Sequence, residues 1–238
     1  MDKGTVYLPV DTLRRFMVDV FVGVGVPKDE ADICADVLIA SDLRGIESHG
    51  VGRLKMYYDR IKQGVQKATT NFEIVREGPT TAVVDGHHGM GMVIGVRAMQ
   101  MAIDKAKAYG LGAVAVRHSS HYGIAGYYPL MAVKAGMIGF SVTNARPAIA
   151  PTFGVQPMLG TNPSPLALPP TMSVLSCSTP LPPSSSAARS RCWRARKSPR
   201  RRVGSLTSRV TLSPIRRKSW TTWSRALTPC CPWAVPVR

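Results

Sequence analysis

"VIGVRAMQMAIDKAKAYGLGAVAVRHS", residues 93–119, joins two kinds of backbone. As far as Gly110 it consists of good helix formers, and "LGAVAVRHS" then reads as a short apolar strand. "IAGYYPLMAVKAGMIGFSVTN", residues 124–144, repeats the order of helix and then strand. Successive helix-strand units whose strands are apolar throughout predict an α/β domain with a buried sheet.

Upstream, "DTLRRFMVDVFVGVG" places Leu13, Phe16, Met17, Val20 and Phe21 at helical spacing behind Asp11, an expected N-cap. A second helix is predicted from Pro27, with Asp29 and Glu30 in its first turn and Gly45 as its stop. A third is predicted from near Gly50 to Gly64, carrying Val51, Leu54, Tyr57, Tyr58 and Ile61 on one side. "NFEIVREG" and "TTAVVDG" read as strands flanking the Gly78-Pro79 turn. The loop "ARPAIAPTFGVQPMLGTNP" closes the patterned region at Pro163.

Charge divides the 238-residue chain at the same place. The formal net charge is +17, yet residues 1–163 hold 17 Lys/Arg and all 14 Asp/Glu, whereas residues 164–238 hold 14 Lys/Arg and no acid. Four of the five cysteines and all four tryptophans also lie beyond the border. Cys177, Cys192, Cys230 and Cys231 match no zinc spacing, so no metal site is expected. Rich in Ser, Pro and Arg and without periodicity, the tail has the composition of a disordered segment. An arm of this charge would bind polyanions nonspecifically. The N-terminus lacks the pattern of a secretory signal and no apolar run is long enough to span a bilayer, so a cytoplasmic protein is expected.

Three stretches could carry chemistry. In "GIESHGVGRLKMYY", His49, Arg53 and Tyr57 recur at intervals of four and would project to one face of the third helix, with Ser48 beside them. A guanidinium can hold a carboxylate by two parallel hydrogen bonds while an imidazole exchanges a proton with the reacting oxygen. The same residues could equally be a helix cap and a surface charge. "RHSSHYGIAGYY" follows a predicted strand, where α/β proteins place ligand-contacting loops; His118 or His121 could be a base there, or bond only to a turn. His87 and His88, in "DGHHGMG", read first as an exposed turn. The glycines of "GMGMVIG" miss the dinucleotide-binding spacing by one residue, so no Rossmann site is supported. "MLGTNPS" puts Thr161 and Asn162 in a turn before Pro163, suited to an amide, a phosphate or the turn alone.

Taken together, "DLRGIESHGVGRL", "HSSHYGIAGYY" and "APTFGVQPMLGTNP", in this order, resemble the type 2 malate/L-lactate dehydrogenases, a group that also includes L-sulfolactate and ureidoglycolate dehydrogenases. The resemblance covers residues from about 10 to 163, roughly the N-terminal half of such an enzyme. It implies a mixed-sheet α/β fold that is not a Rossmann fold, a homodimer, and hydride transfer between NAD or NADP and a 2-hydroxy or 2-oxo acid such as malate, lactate or sulfolactate. It further implies that His121 is the proton acceptor of the oxidation direction and His49 a second acid/base or a cofactor contact. Ser48, Arg53 and Tyr57 would contact substrate. Thr143, Asn144 and Ala145, with Thr161, Asn162 and Pro163, would contact the nicotinamide cofactor. Ala145 stands where the family pattern expects Ser or Thr.

The family's following Asp-x-Ala-Thr segment and its later Gly-Tyr-Lys-Gly loop are missing from the tail. One base out of phase, the codons of residues 186–195 can be read as "RGKIEVLAR", a phrase typical of the family. Trp has the single codon TGG, which forces the next shifted codon to begin with G. From Trp223 to Pro236 this permits V-K-G-x-x-A-L-L-P-L-G-G-x-G, again family-like. From Ser164 the shifted reading permits "IAFGLP", placing a single-base slip between Asn162 and Ser164. The expected organisation is therefore a dehydrogenase N-terminal part, residues 1–163, followed by an out-of-frame tail, residues 164–238, that impairs activity. The competing readings are a nucleic-acid-binding protein with a basic arm and an inactive remnant.

Overall fold

The computed structural model describes residues 6–169 and 209–212. Strand β1 (Val6–Pro9) runs directly into helix α1 (Val10–Gly23), followed by α2 (Lys28–Asp42) and α3 (Leu54–Lys62). Because the chain passes from strand to helix without a break, Pro9 occupies the cap position and no side chain caps the helix. Asp11, the expected cap, sits in the first turn, where its charge faces the positive end of the helix dipole. Leu13, Met17 and Phe21 of α1, Cys34, Val37 and Leu38 of α2, and Leu54 and Tyr57 of α3 form one buried cluster, into which Met90 and Met92 reach. Tyr58, expected on the same side, is exposed.

The second layer begins with β2 (Glu73–Glu77) and β3 (Thr81–Asp85), an antiparallel pair whose turn is closed by Gly78 N–H donating to Thr81 O at 2.8 Å. Helix α4 (Gly91–Tyr109) then crosses over to β4 (Ala113–Arg117), which pairs parallel to β3. The sheet order is β2-β3-β4, mixed as expected. Helix α4 is apolar on two faces. Ile94, Ala98 and Ala102 pack on Val84, Val114 and Val116 of the sheet. Met99, Ile103 and Ala106 pack against Tyr122, Met137 and helix α5 (Tyr127–Lys134).

Of the strand expected over 137–144, only β5 (Gly139–Phe140) forms; it pairs antiparallel with β6 (Leu166–Ala167). The tail expected to be disordered from residue 164 thus continues the fold to at least Pro169, since Leu166 and Ala167 offer β5 the partner it would otherwise lack. A second stretch of the tail, β7 (Arg209–Leu212), pairs antiparallel with β1, with Tyr7 opposite Thr211. Its sequence, RVTL, places two β-branched residues in succession. The rest of the tail, with its four cysteines and its tryptophans, lies outside the described residues. Among the described residues no helix is long and apolar enough to cross a membrane.

Candidate active site

Two loops meet where α3, α4 and the end of β4 come together. The first, residues 118–123, leaves the C-terminal end of β4 and crosses the start of α4. Ser120 Oγ donates to Gly89 O at 2.7 Å and accepts from Gly91 N–H at 2.9 Å, pinning the loop to the helix N-terminus. The approach is close enough that a Cβ on Gly91 would lie 2.3 Å from Ser120 O. Ser120 is thereby committed to holding the loop. Further along, Tyr122 and Tyr128 stack with ring centroids 4.7 Å apart, and the Tyr128 hydroxyl donates to Tyr122 O.

This loop separates its two histidines. His118 faces the sheet: its Nδ1 lies 2.9 Å from Asp85 Oδ2, which also accepts from Arg117 Nε at 2.8 Å, while Asp85 Oδ1 accepts from His87 N–H at 2.9 Å. His87 Nε2 in turn reaches Glu73 Oε2 at 2.5 Å. Burial pushes the Asp85 carboxyl up, but the bonds from His87 N–H, His118 and Arg117 outweigh it and hold the pKa at about 2. The "DGHHGMG" turn is therefore half-buried at His87 and tied to the sheet, while His88 alone is exposed as expected. No three His, Cys, Asp or Glu among the described residues are grouped to hold a metal ion.

His121 turns the other way, toward α3. Its Nδ1 lies 2.6 Å from Tyr57 Oη and accepts from Gly123 N–H at 3.3 Å. The Tyr57 side chain is completely buried, so it reaches the site through the imidazole and presents no surface of its own. On its other side the His121 ring stacks on His49, with centroids 5.8 Å apart and planes at 21°.

His49 comes from the second loop, between α2 and α3. The single helix expected from near Gly50 is replaced by two 3-10 turns, Glu47–His49 and Val51–Arg53, before α3 begins at Leu54. The cause is Asp42: its Oδ2 accepts from Val51 N–H at 2.8 Å, and a Cβ on Gly50 would lie 1.7 Å from Asp42 Oδ1. The chain folds tightly over the end of α2, and a side chain at position 50 would displace the Asp42 carboxylate from this bond. His49 and Tyr57 still converge, on opposite sides of His121. Ser48 Oγ lies 2.9 Å from His49 Nδ1, and Arg53 Nε donates to Ser48 O at 2.6 Å. Among the described residues neither Nη of Arg53 makes a hydrogen bond, which leaves that edge of the guanidinium for an incoming anion.

The two segments expected to contact a cofactor also meet. Thr143 N–H donates to Pro163 O at 3.3 Å, and Ala145 N–H donates to Asn162 Oδ1 at 2.9 Å. Ala145 thus lacks a side-chain donor and has its backbone donor occupied, while Thr143 Oγ1 donates to Asn144 O. The half-buried Thr161 hydroxyl makes no hydrogen bond among the described residues.

Charge couples these pieces. Burial, together with the neighbouring His49 and the cations Arg53, Arg60 and Arg146, lowers His121 to about 3. His49 is lowered as well, by burial and by Arg53. Both rings are neutral at pH 7, in surroundings that favour an anion. Sequence reasoning missed Gly123, whose N–H meets the imidazole, and Arg146, which acts on His121 from within the quoted "ARPAIAP" loop. It also missed Asp85, the anchor of His118; an acid at the end of a predicted strand was the available signal.

The malate/L-lactate dehydrogenase family model matches residues 8–179, which carries the likeness beyond Pro163. Malate dehydrogenase of Pyrococcus abyssi is 54% identical over 169 residues, which are 71% of this chain and 47% of that protein. L-sulfolactate dehydrogenase of Methanocaldococcus jannaschii is 46% identical over 154 residues, 65% of this chain and 45% of that one. The structure of malate dehydrogenase from Pyrococcus horikoshii superposes with a TM-score of 0.69 at 51% identity, covering 71% of this chain and 48% of that chain. The chain spans about half the length of the curated relatives it matches. With the mixed sheet and the matched region covering most of its length, the chain belongs to the malate/L-lactate dehydrogenase family.

Proposed function

We propose that residues 6–169 form the substrate side of an oxidoreductase that moves a hydride between NAD or NADP and a small 2-hydroxy or 2-oxo acid of the malate, lactate or sulfolactate kind. The observation that carries this reading is the setting of His121: a neutral imidazole stacked on His49, backed by Tyr57, with the uncommitted edge of Arg53 among its neighbouring cations. Arg53 binds the substrate carboxylate through its two Nη groups, helped by Ser48. His121 exchanges the proton with the substrate oxygen, and His49 supports it as a second acid/base or as a cofactor contact. An anion drawn in by Arg53 raises the proton affinity of His121, so protonation is coupled to occupancy.

The paired segments 143–145 and 161–163 fit a nicotinamide: they offer the free hydroxyl of Thr161, Thr143 and backbone carbonyls, a neutral donor and acceptor set suited to a carboxamide. Bound there, the cofactor supplies or receives the hydride. We further propose that the coding sequence slips by one base near the codons for Asn162 to Ser164, that the tail replaces the segments completing the cofactor site, and that the in-frame protein works as a cytoplasmic homodimer. An arginine-rich tail then binds nucleic acid only through its charge. The test is a frame-restored protein and its His121→Gln variant. The wild type should oxidise a 2-hydroxy acid with NAD(P), and the variant should keep NAD(P)H binding while losing at least a hundredfold in turnover. Unchanged turnover in His121→Gln would remove the assignment.

A further inference from the structure

Histidine has two nitrogens, and which one faces a ligand as donor is decided by the bonds of the other. At His121 both groups that reach Nδ1 are positioned to donate. Gly123 N–H, at 3.3 Å, can do nothing else. Tyr57 Oη lies at 2.6 Å, and as a protonated phenol it donates to the same nitrogen that already accepts from Gly123 N–H. With Nδ1 accepting, the neutral ring must carry its proton on Nε2.

We propose that Tyr57 is a positioning residue that fixes His121 as the Nε2–H tautomer, so that the site presents an N–H donor to a ligand oxygen and favours a 2-oxo acid over the matching 2-hydroxy acid. The first half rests on geometry alone; the ligand preference rests on the proposed dehydrogenase reading. A carbonyl oxygen can only accept, so it matches an N–H donor without competition, whereas a hydroxyl must also place its own proton. The chemistry of Tyr57 explains why a phenol stands here and not a carboxylate. A carboxylate behind Nδ1 accepts only and would draw the proton to that nitrogen, leaving Nε2 bare. A phenol donates to Nδ1 in the neutral ring and, by rotating its O–H, accepts from Nδ1–H when the ring carries both protons. The pair stays bonded in both states. Burial of Tyr57 raises its pKa, which keeps its proton on oxygen and the donor in place.

Long-range proton–nitrogen NMR on the full chain labelled with ¹⁵N-histidine reads the tautomer without any ligand or turnover. At pH 7 the His121 Nδ1 should be of the unprotonated type and Nε2 of the protonated type, and Tyr57→Phe should move both toward averaged values. A protonated Nδ1 in the wild type, or an unchanged pattern in a folded Tyr57→Phe protein, overturns the proposal. If Tyr57→Phe does not fold, the wild-type spectrum alone decides. Calorimetric titration of the same proteins with pyruvate and L-lactate tests the consequence: about a tenfold preference for pyruvate in the wild type, falling to near equality in Tyr57→Phe. If neither acid binds, the dehydrogenase reading falls while the tautomer still decides the positioning role.

Discussion

His49 and His121 are stacked, with ring centroids 5.8 Å apart and planes inclined by 21°, although they lie on different loops and 72 positions apart in the chain. Two imidazoles in such a stack cannot both be protonated without repulsion, and Arg53 adds to it. The folded protein therefore holds a neutral pair that accepts a proton only when an anion arrives to balance the charge.

A loss of stability in mild acid follows. His121 is lowered to about 3 from the ordinary histidine value near 6.5, so between those values the unfolded chain takes up the proton and the folded one does not. Unfolding is then favoured as the pH falls through about 6.5, and the term is absent above it. Between pH 6.5 and pH 5 the contribution is about 2 kcal/mol for one such group. Denaturant melts of wild type and His121→Gln at pH 7 and pH 5 should show the wild type losing this much more than the variant. Equal losses would show that His121 titrates normally.

Arg53→Ala should weaken binding of a 2-oxo acid ten- to a hundredfold, the span expected for a charge-assisted bond of about 1.5–3 kcal/mol. Arg53→Lys should recover only part, because an ammonium cannot match both carboxylate oxygens at once. Both variants also lose the bond to Ser48 O, so circular dichroism should accompany the titration. Full affinity in Arg53→Ala would place the carboxylate elsewhere.

Gly91→Ala and Gly95→Ala probe the support behind the histidine loop. A Cβ at Gly91 meets the backbone of Ser120 at 2.3 Å, and one at Gly95 meets the Tyr128 ring at 2.6 Å. Neither neighbour is the end of a flexible chain, so each change should cost about 1–3 kcal/mol and lower the melting temperature by several degrees. A neutral result at Gly91 would mean that the loop is free to shift away from α4.

These glycines show what was legible in the sequence. The helix-strand alternation over 93–117 is written in local composition, and α4 and β4 form where the periodicity places them. The gathering of His49, Arg53, Tyr57 and His121 was anticipated through motifs, yet for the first three by the wrong geometry. The predicted regular helix from Gly50 gives way to 3-10 turns because Asp42, nine positions earlier, bonds Val51 N–H. A long-range bond of that kind leaves no periodic trace. The same holds for the choice between His118 and His121, which is made by Asp85 and Tyr57, residues 33 and 64 positions away. The strand at Leu166–Ala167 was hidden for another reason: two residues are too few to establish alternation, and only β5 opposite makes them a strand.

The chain as written should show weak or absent hydride transfer, and a single-base correction near the codons for Asn162 to Ser164 should restore it. As written, the tail beyond residue 163 carries 14 Lys/Arg and no acid, and on the proposed slip it lacks the segments that complete the cofactor site. The corrected protein should reduce 2-oxo acids with NAD(P)H at a rate at least a hundredfold above the uncorrected one. On the proposed slip it should also lose affinity for DNA, because the correction removes the arginines of the tail. Binding of the uncorrected chain to a labelled duplex should weaken steeply between 50 and 200 mM salt, as expected when contacts are to phosphates alone. Sequencing the template decides whether the slip lies in the gene. Family-level turnover by the uncorrected chain, or salt-independent and sequence-selective DNA binding through its tail, would instead make residues 164–238 a working part of the protein.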